Sequence, residues 1–211
     1  MGNLANIIIE PAKAFKHIKE NPFILIVIVT WIFLWITGPA LARITTQQMA
    51  EMGIDREIPK ATVFIKYLGA PIGTFIMWLI MSGLIWFLSN SFGADWNYVK
   101  ALDLYAYSYV VQAIRSAISI VVLLLRGIPN IMTVRDLNVA TGLNLLFSPE
   151  NSKLYALVSG IEVFTIWQFI LIAYGISEIT GISKKKTAWI SVITYLIILG
   201  FGVLFAREGI G

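Results

Sequence analysis

Five stretches of this chain are long and apolar enough to cross a bilayer, and nothing else in the sequence limits its fold as strongly. Phe23–Leu41, Leu68–Phe92 and Thr187–Ala206 carry no charged side chain; Leu104–Leu125 carries only Arg115, and Leu154–Ser177 only Glu162. Inside hydrocarbon, backbone N–H and C=O groups find no water and must bond within their own segment, so such runs are helices. The expected fold is therefore all-α and polytopic: a bundle of five transmembrane helices over about 23–41, 68–92, 104–125, 154–177 and 187–206. Residues 1–22 form a short amphipathic juxtamembrane segment ahead of the 23–211 membrane domain. Reading the first run as a cleaved leader ending at Ala40-Leu41-Ala42 is the competitor, but that run is longer than a usual signal h-region.

Composition agrees. Charged residues make up 13% of the chain, about half the ~25% of a soluble globular domain. There is no cysteine, so thiolate chemistry is out of reach, and the single histidine, His17, leaves no His-based metal cluster or Ser-His pair inside the membrane. No Gly-x-Ser-x-Gly elbow, phosphate-binding Gly loop or nucleic-acid module appears. No catalytic residue, metal site or cofactor is expected, and no nucleic-acid partner.

The connections are unequal. Residues 93–103 and 178–186 are short, whereas 42–67 and 126–153 are long. With five spans, both short loops share the side of the N-terminus. Lys and Arg number 7 on that side and 8 on the other, with Arg115 within the membrane, so the totals do not set an orientation. Density does: Lys184, Lys185 and Lys186 abut a span, where basic residues weigh most. The expected location is the cell membrane, with the N-terminus cytoplasmic and the C-terminus outside. Asn138–Phe147 is apolar enough to lie against the bilayer or the bundle.

Pro11 suits the first turn of an N-terminal surface helix, with Phe15 and Ile18 on one face and Lys13, Lys16 and Lys19 elsewhere. Gly181 and Ser183 read as the C-cap of span four and the N-cap of span five. Three lysines in the first turn of that fifth helix oppose its macrodipole, at about 0.3–1 kcal/mol each, and anionic headgroups offset this at about 1 kcal/mol per basic residue. Anionic lipid is the expected partner of Lys184–Lys186, with Trp96, Tyr98 and Lys100 of the other short loop completing a cytosolic interaction face.

An ionisable residue inside a span is expensive and faces the bundle interior with a partner. Arg115 lies roughly 15 Å from Leu125 and Glu162 roughly 12 Å from Leu154 at the helical rise, so their depths from a shared end agree. Pairing of Arg115 with Glu162 is expected. Ser108, Gln112, Ser116 and Ser119 form a polar stripe around the arginine, and Ser159 and Thr165 flank the glutamate. Small-xxx-small spacings, such as Gly69-x-x-x-Gly73 and Ala113-x-x-x-Ala117, permit close helix approach within one chain or between copies.

Taken in order, several segments resemble the prokaryotic branch of the Yip-one domain family, the Ypt/Rab-interacting membrane proteins. Pro11-Ala-Lys-Ala-Phe15-Lys-His-Ile18 followed by Pro22 is similar to the family's opening. Phe92-Gly93-Ala-Asp-Trp96-Asn-Tyr-Val-Lys100-Ala101, running into Tyr105-Ala-Tyr-Ser108, resembles its Gly-containing loop and third span. Phe164-Thr-Ile-Trp167 and Gly175-Ile-Ser-Glu178-Ile-Thr-Gly181-Ile-Ser-Lys184-Lys-Lys186-Thr-Ala188 resemble the fourth span and the loop into the fifth. The resemblance implies five spans with a cytosolic N-terminus; in eukaryotes such proteins associate with Rab-type GTPases in vesicle traffic. Two functions follow as expectations. One is a non-enzymatic scaffold that organises membranes or binds membrane proteins, including further copies of itself. The alternative is a small transporter or channel built around Arg115, Glu162 and Gln112.

Overall fold

The computed structural model describes Phe15, Ile32 and residues 60–127, 130, 139, 141–146 and 152–206. The first apolar run and the N-terminal surface helix lie outside these residues, apart from Ile32 and Phe15. Every regular element among the described residues is helical, and the one β-type contact is an isolated bridge between Gly142 and Glu162. In chain order the helices are α1 (Lys60–Ser91), α2 (Tyr98–Ser108), α3 (Val110–Arg126), a 3-10 turn (Leu143–Leu146), α4 (Ser152–Gly160), α5 (Val163–Thr180) and α6 (Lys184–Leu204). Four stretches are long and apolar enough to cross a membrane: Ile72–Ser91, Tyr98–Arg126, Val163–Thr180 and Lys184–Leu204. Only 22–28% of each is buried within the protein, so most of their apolar surface has lipid as its natural solvent.

The expected boundaries shift in two places. Helix α1 begins at Lys60 and runs through Pro71, upstream of the uncharged run, because hydropathy marks contact with lipid and not the extent of the helix. The fourth run is not one helix. It breaks between Gly160 and Val163, where Glu162 takes an extended conformation (φ −126°, ψ 140°) as the N-cap of α5.

The chain divides into two compact units. Phe15 and residues 78–112 and 141–206 belong to the first; residues 60–77 and 113–127 belong to the second. In the first unit, α1 ends in a Schellman turn: Gly93 is left-handed (φ 93°), its N–H bonds the Asn90 carbonyl at 3.0 Å, and the Ala94 N–H bonds the Ser89 carbonyl at 2.9 Å. Asn97 then opens α2, its Oδ1 accepting from the Lys100 N–H at 3.0 Å. Aromatic donors stitch the two helices together. Trp78 Nε1 donates to the Leu102 carbonyl, Tyr98 OH to the Leu79 carbonyl and Trp86 Nε1 to the Trp96 carbonyl, each at 2.9 Å.

Helices α2 and α5 are antiparallel, as two contact levels establish. Leu104 lies against Gly175, and Ser108 meets Gln168. Helices α5 and α6 are antiparallel as well: Lys184 sits over Tyr174, the Ser191 hydroxyl donates to the Phe169 carbonyl, and Tyr195 OH donates to the Gly160 carbonyl at 3.0 Å. Both short turns, 92–97 and 181–183, therefore lie at the same end of this unit. The core between the helices gathers Ile85, Trp96, Ala101, Leu104, Tyr107, Leu171, Ile172, Ile176 and Ile190, and Phe15 inserts into it at 2% exposure. Three buried hydroxyls close on their own helices, Ser82 on Trp78, Ser89 on Ile85, and Thr194 on Ile190.

Candidate functional site

A chain of polar side chains runs through the first unit. Gln112 Nε2 donates to Gln168 Oε1 at 3.0 Å, Gln168 Nε2 donates to Ser108 Oγ at 3.3 Å, and the Ser108 hydroxyl donates to the Tyr105 carbonyl at 2.7 Å. Gln168 is 4% exposed and Ser108 fully buried. All donors point one way along the chain, so each bond polarises the next, and the low local dielectric makes a missing partner costly. Of the expected polar network, Ser108 and Gln112 are thus brought together. Their partner Gln168 is absent from the expectation, although Glu162, Thr165 and Gln168 recur every three residues, a stripe already present in the sequence.

Glu162 occupies a different setting, at the break between α4 and α5. It is buried, and its carboxylate accepts from the hydroxyls of Thr141 and Thr165, the latter at 3.2 Å. Thr141 belongs to the segment that also forms the Gly142–Glu162 bridge, and the Leu143 N–H donates to the Ile161 carbonyl at 3.1 Å. The apolar connection is therefore fastened to the break along both backbone and side chain. Fit is close: a Cβ at Gly142 would lie 2.6 Å from the Ile161 oxygen. Because Gly160 packs between Tyr195 and Leu199, the break sits ~16–22 Å from the Lys184 end of α6, within its apolar stretch. Glu162 thus stands at the N-cap position of α5, next to the first residue of the span Val163–Thr180.

Ser159, half a turn before the break, has a buried hydroxyl with no hydrogen-bond partner among the described residues. Arg115 is half-buried on α3 and belongs to the second unit, whereas Glu162 belongs to the first.

At the short-turn end, the aromatic residues expected to face a partner point inward. Trp96 is 8% exposed and its indole donates to Ser89 Oγ at 2.7 Å; Tyr98 is half-buried, its ring edge-on to Trp86. The surface of that turn is carried instead by Asp95, Asn97, Val99 and Lys100, all exposed. Gly181 closes α5 in the left-handed conformation (φ 74°), and Ser183 precedes α6 without a side-chain cap bond. Lys184, Lys185 and Lys186 are exposed, and the Lys184 ammonium lies 5.3 Å from the centre of the Tyr174 ring. Among the described residues, no group of three or more His, Cys, Asp or Glu side chains converges as a metal site.

Comparison with known proteins yields two matches. The Yip1 domain matches residues 5–206. The chain is also similar to "Membrane protein YknW" of Bacillus subtilis (strain 168), at 28% identity over 215 residues, which cover 97% of this chain and 88% of that protein. No solved structure matches.

Proposed function

The chain belongs to the Yip1 domain family, and on that premise we propose that it is a non-enzymatic scaffold which organises the membrane or binds other membrane proteins through the end of the first unit that carries both short turns. One observation supports this reading above the others. The two turns present Asp95, Val99, Lys100 and Lys184–Lys186 at one end of the first unit, above Trp96 and Tyr98, which are held by hydrogen bonds to Ser89 and the Leu79 carbonyl. A surface fixed in this way binds without first ordering itself, which lowers the entropic cost of association. The partner is another membrane protein or a second copy of the chain.

In-cell photo-crosslinking from probes at Val99 and Ser183 tests the proposal, since both are exposed and neither side chain makes a cap bond. A discrete protein adduct, recovered from both sites, is the expected result. Adducts with lipid alone would sink it. The proposal also orients the protein, with the N-terminus and both short turns cytoplasmic and the C-terminus outside, because the lysine triad abuts a span. The chain has no native cysteine, so a membrane-impermeant maleimide applied to intact cells should spare cysteines placed at Val99 and Ser183 and label one placed at Lys153.

The alternative, a transporter or channel, is favoured by a single feature, the buried Glu162 at a helix break, which is how discontinuous transporter helices display their ion-binding groups. It predicts solute or ion flux in vesicles that Glu162→Gln abolishes while the protein stays folded.

A further inference from the structure

Helix α6 divides sharply into two faces. Thr187, Ile190, Ser191 and Thr194 are buried against the bundle, whereas Lys185, Trp189, Val192 and Leu196 follow one another along the outward face at helical spacing and are all exposed. Lys186 flanks the upper end of this stripe. From top to bottom the stripe runs basic, aromatic, aliphatic, and from Lys185 to Leu196 it spans ~16 Å, about half a bilayer's hydrocarbon thickness. That order and that length are those of one phospholipid in one leaflet: an anionic head, an interfacial glycerol region and acyl chains.

Lys184 is held over Tyr174, but among the described residues neither Lys185 nor Lys186 makes an ion pair or a side-chain hydrogen bond. Both stand in the first turn of α6, where the macrodipole repels them, so a negative charge is the complement they require. Trp189 is 59% exposed, one turn below them, at the depth where an indole sits among glycerol and carbonyl groups.

We propose that Lys185, Lys186 and Trp189 form a specific site for one anionic phospholipid of the surrounding leaflet, with its acyl chains along Val192 and Leu196. The site shares Lys185 and Lys186 with the face proposed above, but its test contains no protein partner, so the two readings can fail separately.

The test is lipid retention by the full-length protein purified in detergent, offered phosphatidylglycerol or phosphatidylcholine and read by native mass spectrometry. Each ammonium favours an anionic headgroup roughly fivefold, so the wild type should retain phosphatidylglycerol roughly thirtyfold better than phosphatidylcholine. K185Q/K186Q should bring the two lipids to near parity. K153Q, which neutralises an exposed lysine on α4, should leave the preference intact. Trp189→Leu should weaken retention of both lipids alike. Should the double variant not fold, the wild type alone decides, because its preference must collapse in high salt as the charges are screened. A preference that survives neutralisation or salt overturns the proposal. So does displacement of the lipid by soluble glycerophosphate, which would mark the site as one for free anions.

Discussion

Gln168 is the hinge of a two-sided hydrogen-bond relation: its carbonyl oxygen takes the Gln112 amide at 3.0 Å while its own amide reaches Ser108 at 3.3 Å. One buried side chain thus ties α5 to α2 and to the start of α3. In lipid the apolar contacts around it supply little hydrophobic drive, so packing and such bonds set helix register.

A double-mutant cycle on this pair measures the tie. Gln112→Leu and Gln168→Leu should each lower the thermal unfolding temperature in detergent. The coupling between them should come to about 0.5–1.5 kcal/mol, the range seen for interhelical bonds in membranes. Additive effects would mean that the bond carries no weight.

At Gly175, α5 packs closely on α2. A Cβ there would lie 2.1 Å from Leu104 Cδ1 and 3.3 Å from the Phe15 ring. Gly175→Val is expected to cost about 1–3 kcal/mol through overpacking. Leu104→Ala, by opening space on the facing helix, should restore part of that loss in the double variant, and denaturation curves of the three proteins check it.

Removing the carboxylate of Glu162 should loosen the segment it fastens. In Glu162→Leu the hydroxyls of Thr141 and Thr165 lose their acceptor, and the Leu143 amide should exchange with deuterium markedly faster than in the wild type. Glu162→Gln keeps a side-chain oxygen and should stay close to wild type. Equal exchange in all three proteins would show that the backbone bridge suffices.

Pairing of Arg115 with Glu162 is an expectation drawn from the sequence on a continuous fourth helix, and the break at 160–163 makes it one to test directly. With no native cysteine to interfere, R115C/E162C should form an oxidative crosslink in membranes. I118C/E162C, using an exposed position on α3, should not. A pair that crosslinks no better than this control ends the idea.

Much of this arrangement was readable beforehand, and the reasons are local ones. Uncharged runs mark lipid contact, and glycines at 93 and 181 mark the only places where the two short turns need a left-handed residue. The break at 160–163 is a different matter. Gly160 sits in an apolar run without proline, and small residues are tolerated in membrane helices. The break exists because Tyr195, Leu199 and the 141–143 segment meet the chain there, contacts that lie far away in sequence. Trp96 and Tyr98 mislead for a related reason. Aromatic residues near a span end look interfacial, yet these two turn inward because Ser89 and the Leu79 carbonyl offer their N–H and O–H groups acceptors. Gln168 was visible as a polar residue in an apolar span, but its partners belong to other helices.

The seating of Phe15 has a consequence for biosynthesis. This residue leaves the ribosome well ahead of the two that receive it, because its recess is bounded by Leu104 and by the bare backbone of Gly175. Translation at roughly 5–20 residues per second separates position 15 from position 175 by on the order of ten seconds or more. For that interval the phenylalanine has no berth in its own chain. The unit can close only after most spans have been inserted, so its assembly is governed by its last helices, and a nascent chain stalled before α5 would display an unburied aromatic residue to the quality-control machinery of the cell.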